Sequence, residues 1–223
     1  MKVVVTGTSR GIGLALARRI LQAGHELLAV ARQPARSPAL TRLAHEHGDR
    51  LRLHAADLQQ RDAAATIARA ASHWGAVDVL VNNAGILTQE AGRADFSASF
   101  AVNSIAPFEV TRALLPLLQR SQNPRVAHIT SRMGSIADNS SGGYYAYRAS
   151  KAALNAINQS LYRDHDWLTA IVIHPGWVNT DMGGTEAPVA PEDSAAGIWR
   201  QIEGLTRSRS GSFIDFEGNL LPW

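Results

Sequence analysis

Seven short runs of β-branched and apolar residues alternate with six longer helical patterns along the whole chain, and this alternation leaves few folds open. The runs Val3–Val5, Glu26–Ala31, Leu51–His54, Val77–Val81, Arg125–Ile129, Thr169–Ile173 and Ser212–Phe216 read as strands. Several are continuously apolar, as strands covered on both faces are. Helices are expected at Gly11–Ala23, Pro38–His47, Arg61–Trp74, Phe96–Arg120, Tyr145–Asp164 and Pro191–Leu205. Pro38 and Pro191 suit first turns, and Gly24 and Gly48 stand where helices should stop. Joined by right-handed crossovers, these elements make an α/β doubly wound parallel sheet of seven strands with helices on both faces. With 223 residues and no linker, repeat or low-complexity tract, one domain spanning 1–223 is the expectation.

Composition removes several function classes. The absence of cysteine excludes a disulfide scaffold, a thiol nucleophile and cysteine-ligated metal. The two histidines of His45-Glu46-His47 point apart on a helix, so no metal site is expected. The net charge is +3, but the arginines are scattered without a basic block, so no nucleic-acid partner is expected. No apolar stretch approaches the ~20 residues of a membrane span. The first strand begins at the start of the sequence, leaving no room for a signal peptide, and a cytoplasmic protein is expected.

The chemistry begins at the first strand–helix turn, Thr6-Gly7-Thr8-Ser9-Arg10-Gly11-Ile12-Gly13. Glycines permit a tight turn and close backbone approach, and the free N–H groups and dipole of the following helix attract an anion. A glycine-rich turn alone is a weak signal, but this one has the strand and helix the motif needs. Tyr147 and Lys151, four apart, share one helix face. Alone, such a pair is more often packing plus a solvated lysine. Lys151 gains weight from scarcity, because of the 22 basic residues only Lys2 and Lys151 are lysines. A nearby ammonium favours the phenolate and should lower the phenol's pKa toward neutrality, making Tyr147 a usable acid or base. Ser131 ends the fifth strand, where α/β clefts form. Tyr144 and Tyr145 lack a lysine at the fourth following position.

The T-G-x-x-x-G-x-G spacing resembles the short-chain dehydrogenase/reductase pattern, and the family's other signatures follow in order. They are Asp57-Leu58 after the third strand, Asn82-Asn83-Ala84-Gly85 after the fourth, Asn103, Ser131, Tyr147-Arg148-Ala149-Ser150-Lys151, and Pro175-Gly176 with Val178 and Thr180 after the sixth. The resemblance implies a Rossmann-like fold and NADP(H)-dependent reduction of a ketone or aldehyde. It assigns catalysis to Asn103, Ser131, Tyr147 and Lys151, with Asn103 holding a water that links Lys151 to solvent. It assigns the dinucleotide to Gly7, Ser9, Arg10, Gly11, Ile12, Gly13, Arg32, Asp57, Leu58, Asn83, Ala84, Gly85, Tyr147, Lys151, Pro175, Gly176, Val178 and Thr180. No Asp or Glu lies between Leu27 and Thr41, so a 2′-phosphate meets Arg32 and Arg10 rather than a carboxylate, which points to NADP over NAD. Within the family, His174-Pro-Gly-Trp-Val-Asn-Thr-Asp-Met-Gly-Gly184 and the ending Phe216–Trp223 resemble the C-factor-like (sniffer-like) carbonyl reductases.

A short substrate loop is expected around 177–191, with Trp177 and Met182 either as apolar walls or packed on the sheet. The Ser131–Tyr147 interval is longer than the family's usual one, and Asp138–Gly143 should absorb the excess. The resemblance also implies a homodimer, with a tetramer as the larger alternative. It would pair the two long helices through Ala101, Ile105, Ala152, Ala153 and Ala156. A second reading has the chain as a dinucleotide-binding regulatory or signalling protein with incidental turnover. An intact Ser/Tyr/Lys set argues against it.

Overall fold

The computed structural model describes all residues, 1–223. Seven parallel strands form one sheet: β1 (Lys2–Thr6), β2 (Glu26–Ala31), β3 (Leu51–Ala55), β4 (Val79–Asn82), β5 (Arg125–Ile129), β6 (Thr169–His174) and β7 (Phe213–Asp215). Their order is β3-β2-β1-β4-β5-β6-β7, so the winding direction reverses between β1 and β4. The helices are α1 (Gly11–Gln22), α2 (Pro38–His47), α3 (Ala63–Ala71), α4 (Arg93–Phe100), α5 (Ala106–Leu118), α6 (Tyr145–Asp164) and α7 (Pro191–Glu203).

The period of two divides the strand residues between two cores. Val3, Val5, Leu27, Ala29, Val79, Val81, Ile171 and Ile173 face α1, α2 and α7. Val4, Leu28, Val30, Leu80, Val126 and Ala170 face α3 and α5. Burying each large aliphatic contributes about 1.5–3 kcal/mol, so register is strongly specified. No helix is long and apolar enough to cross a membrane.

Two expectations need correction. Not all crossovers share one hand: α7 packs on α1, with Ile198, Trp199 and Ile202 in the α1-side core. The connection from β6 to β7 runs in the same direction as that from β4 to β5, but α5 lies on the other face. The last crossover is therefore opposite in hand to those before it. The twist preference acts on tight strand–helix–strand units, and the excursion from Pro175 to Ala190 lets the chain change faces. Nor is Phe96–Arg120 one regular helix. It begins at Arg93 and widens into a π-helical stretch at Ala101–Ile105 before continuing as α5.

Candidate active site

The reversal between β1 and β4 opens a crevice at the strands' carboxyl ends, where ligands of such sheets bind. A cleft of about 750 Å³ begins there. It is lined by the glycine turn, by Arg32 after β2, by Asp57 and Leu58 after β3, by Asn83–Gly85 after β4, and by Tyr147 and Lys151 of α6. Gly7 sits at φ +74°, and a Cβ there would lie 2.7 Å from the Ala84 Cα. A Cβ on Gly13 would collide with the Gly7 carbonyl and the Asn83 amide. The Asn83 Nδ2 donates to the Thr6 and Gly7 carbonyls, and the N–H groups of Asn83 and Ala84 donate to Thr6 Oγ1. Asn83 thus braces the turn from the neighbouring strand, leaving a glycine cradle that fits a dinucleotide's phosphates.

A second cleft of about 720 Å³ adjoins the first and shares Ile12, Thr130, Tyr147, Pro175, Thr180 and Met182 with it. Ser131, Met133, His174 and Trp177 line this second space. Gly176 and Val178 line this second space, next to Pro175 and Thr180, which line both. Thr180 borders both clefts, and its methyl group lies against Gly11. Trp177 is 56% exposed and Met182 45% exposed, which removes the sheet-packing alternative. The indole N–H of Trp177 donates to the Gly183 carbonyl at 2.8 Å and fixes the ring at the mouth.

Tyr147 lies at the junction of the two clefts and is buried. Burial raises its pKa, and the Ser131 hydroxyl acts the other way. In the protein without dinucleotide the direction is thus opposite to the expected lowering: desolvation dominates, with Lys151 Nζ 5.8 Å from the ring centroid. Lys151 is itself buried, donates to the Ile129 carbonyl at 2.9 Å, and is pushed down to about 8 by desolvation. Ser131 caps the short turn Arg132–Gly134, its Oγ accepting from the Met133 N–H.

Asn103, fully buried in the π-helical stretch, lines neither cleft. Its amide donates to the Ile86 carbonyl and Ser150 Oγ, and its carbonyl oxygen accepts from the Ile86 N–H. The side chain is thus a brace between the β4 loop and α6, close to Gly85 and the Lys151 ammonium.

Two contributors escaped the sequence reading. Asn155 accepts from Thr130 Oγ1 at 2.7 Å and donates to the Gly134 carbonyl, holding the segment that carries Ser131. Its spacing of four from Lys151, on the Tyr147 face, was the available signal. Asp181 pairs with Arg10 at 2.8 Å, tying the loop after β6 to the glycine turn. Arg32 is exposed at the cleft and has neither a side-chain hydrogen bond nor an ion pair.

A doubly wound sheet with a glycine cradle at its reversal, and Ser, Tyr and Lys gathered beside it, defines a dinucleotide-dependent oxidoreductase fold. Residues 1–189 match the short chain dehydrogenase family, and the chain belongs to it. It is 46% identical over 156 residues to C-signal of Myxococcus xanthus, covering 67% of this chain and 94% of that protein. Its structure is similar to carbonyl reductase Sniffer of D. melanogaster, with TM-score 0.96, 30% identity and coverage of 100% and 99% of the two chains. It is also similar to the NADPH-bound carbonyl reductase from chicken fatty liver, with TM-score 0.94, 29% identity and coverage of 100% and 98%.

Proposed function

We propose that the protein reduces a ketone or aldehyde to an alcohol with NADPH. The observation that carries this reading is Tyr147 at the junction of two clefts, with the glycine cradle and Lys151 on one side and Ser131 on the other. The likeness to carbonyl reductases, one of them NADPH-bound, supports it. When bound, the dinucleotide supplies the hydride. Ser131 positions the carbonyl oxygen, and the Tyr147 hydroxyl gives it a proton. Lys151 holds the nicotinamide ribose and, as a compact cation, favours the phenolate left behind. The glycine cradle and the start of α1 would hold the pyrophosphate, and Arg32 and Arg10 would take the 2′-phosphate.

The test follows NADPH absorbance with a panel of aldehydes, ketones and quinones. Tyr147→Phe should lose about 10²-fold or more in turnover with NADPH binding retained. Near wild-type rates in that variant would end the acid assignment. The kinship with C-signal supports a second reading, in which dinucleotide occupancy is itself the message. Tight NADPH binding with no turnover across the panel would favour it.

We also propose a homodimer through α4–α5 and α6. Ile105 is 51% exposed and Phe108 also stands outward, while Ala152, Ala153 and Ala156 of α6 are not fully buried. Light scattering at micromolar concentration should give twice the 24.0 kDa chain mass, and a monomer mass would refute it.

A further inference from the structure

Between Ser131 and Tyr147 the chain makes a loop whose last three residues, Gly142, Gly143 and Tyr144, have φ of +64°, +67° and +49°. Tyr144 is the single non-glycine residue of the protein with positive φ. Such a run is unfavourable for an L side chain and persists only where its surroundings fix it. Here two side chains do so: Asn139 Oδ1 accepts from the Gly142 N–H at 3.1 Å, and Arg148 makes the larger set of bonds. The guanidinium of Arg148, next to Tyr147 on α6, donates through Nε to the Gly142 and Gly143 carbonyls at 3.1 and 3.2 Å. Its Nη2 donates to Ser141 Oγ at 2.8 Å, and its Nη1 to the Met133 carbonyl at 3.4 Å. Both ends of the loop are thereby gathered onto the first turn of α6. Ser140, Ser141, Tyr144, Met133 and part of Arg148 itself line the cleft that holds Ser131.

We propose that Arg148 is a positioning residue that shapes the substrate cleft by clasping this loop, and so sets how large a carbonyl compound the enzyme holds well. The inference rests on the carbonyl-reductase reading. Arg148 touches neither the reacting carbonyl nor the dinucleotide in this scheme. It fixes the wall that meets the remote part of a large substrate, leaving a compact one to Ser131 and Tyr147. Its planar fork serves several acceptors in fixed directions, which the single ammonium of lysine does not reproduce.

The experiment compares wild type, Arg148→Ala, Arg148→Lys and Ser141→Ala with NADPH and two substrates, a compact aldehyde and an extended aromatic ketone. Chymotrypsin cleavage after Tyr144 or Tyr145 is followed in parallel. Both Arg148 variants should raise KM for the ketone by about tenfold, the loss of one or two charge-assisted hydrogen bonds, with kcat and the aldehyde's KM within about twofold. Both should be nicked faster than wild type, and Ser141→Ala should show a smaller rise in KM. An Arg148→Lys variant equal to wild type, an equal KM rise for both substrates, or unchanged KM and nicking would overturn the proposal. If the Arg148 variants do not fold, Ser141→Ala decides, and an unchanged ketone KM in it counts against the clasp. If wild type reduces no carbonyl, the functional reading fails, while the nicking rates still judge the clasp.

Discussion

On the proposed reading, the preference for NADPH should follow from how two arginines are occupied. Arg32 stands exposed at the cleft without a partner, free to take a 2′-phosphate. Arg10 already holds Asp181 at 2.8 Å, each side chain 72% exposed. A charged hydrogen bond contributes about 1.5–3 kcal/mol, and exposure on this scale puts each arginine near the lower end. Releasing Asp181 costs Arg10 about 0–1 kcal/mol, the worth of an exposed pair. Together they give about 2–3 kcal/mol, or roughly 30- to 150-fold in favour of NADPH. Arg32→Asp removes the larger contribution and sets a carboxylate against the phosphate, so the preference should collapse or invert. Asp181→Asn frees Arg10 and should raise the preference by up to about fivefold. The assay is the ratio of kcat/KM with NADPH and NADH, backed by fluorescence titration of each dinucleotide. Equal efficiencies in wild type would refute the reasoning, and a drop in NADPH preference in Asp181→Asn would refute the competition between Asp181 and the phosphate.

Acid stability offers an independent prediction, beyond the Tyr147, Arg148 and oligomer tests above. His128 is fully buried on β5, its Nδ1 facing Asn82 Nδ2, and burial followed by the Lys151 charge holds its pKa down at about 3. The unfolded chain takes a proton near pH 6.5 and the folded one does not, so stability is full above 6.5 and is lost as pH falls toward 3. By pH 5 this one residue costs about 2 kcal/mol. His174, held at about 4 chiefly by burial, acts in the same direction. Urea denaturation at pH 7 and pH 5 should show His128→Gln losing about 2 kcal/mol less than wild type between the two; identical losses would remove His128 as the cause.

Much of this architecture was legible in order and spacing. The seven strands were found to within two residues at either end, because a strand covered on both faces must be apolar throughout. Gly7 and Gly13 were legible because no other residue fits the close approach to Ala84 and to the Gly7 carbonyl. What was hidden depends on where side chains end up rather than on what they are. Asn103 reads as a polar residue in a helix, but only the π-helical widening shows its amide turned to Ile86 and Ser150. Arg10 reads as a free phosphate ligand, and only the fold shows Asp181, 171 positions away, competing for it. The hand of the last crossover depends on the path from Pro175 to Ala190, which has no periodicity to read.

The reversed shift of Tyr147 bears on the direction of reaction. Spacing alone put a cation one helical turn from a phenol and predicted an acidified tyrosine. Depth decides otherwise, because the same burial disfavours the charge on both groups, raising the phenol and lowering the amine. At neutral pH the phenol therefore keeps its proton, and Lys151, at about 8, is mostly charged. A protonated tyrosine is the state a carbonyl reduction needs, since its proton leaves with the alcohol. Oxidation of an alcohol would need the phenolate, which burial disfavours. On the proposed mechanism, reduction should hold its rate across neutral pH and fall as Lys151 loses its charge near pH 8, while alcohol oxidation should gain only at higher pH. The Ser131 hydroxyl, which lowers the Tyr147 pKa, is on the proposed mechanism also the group that positions the substrate oxygen. One side chain thus eases departure of the proton and holds its acceptor, which fits a site built around a neutral acid.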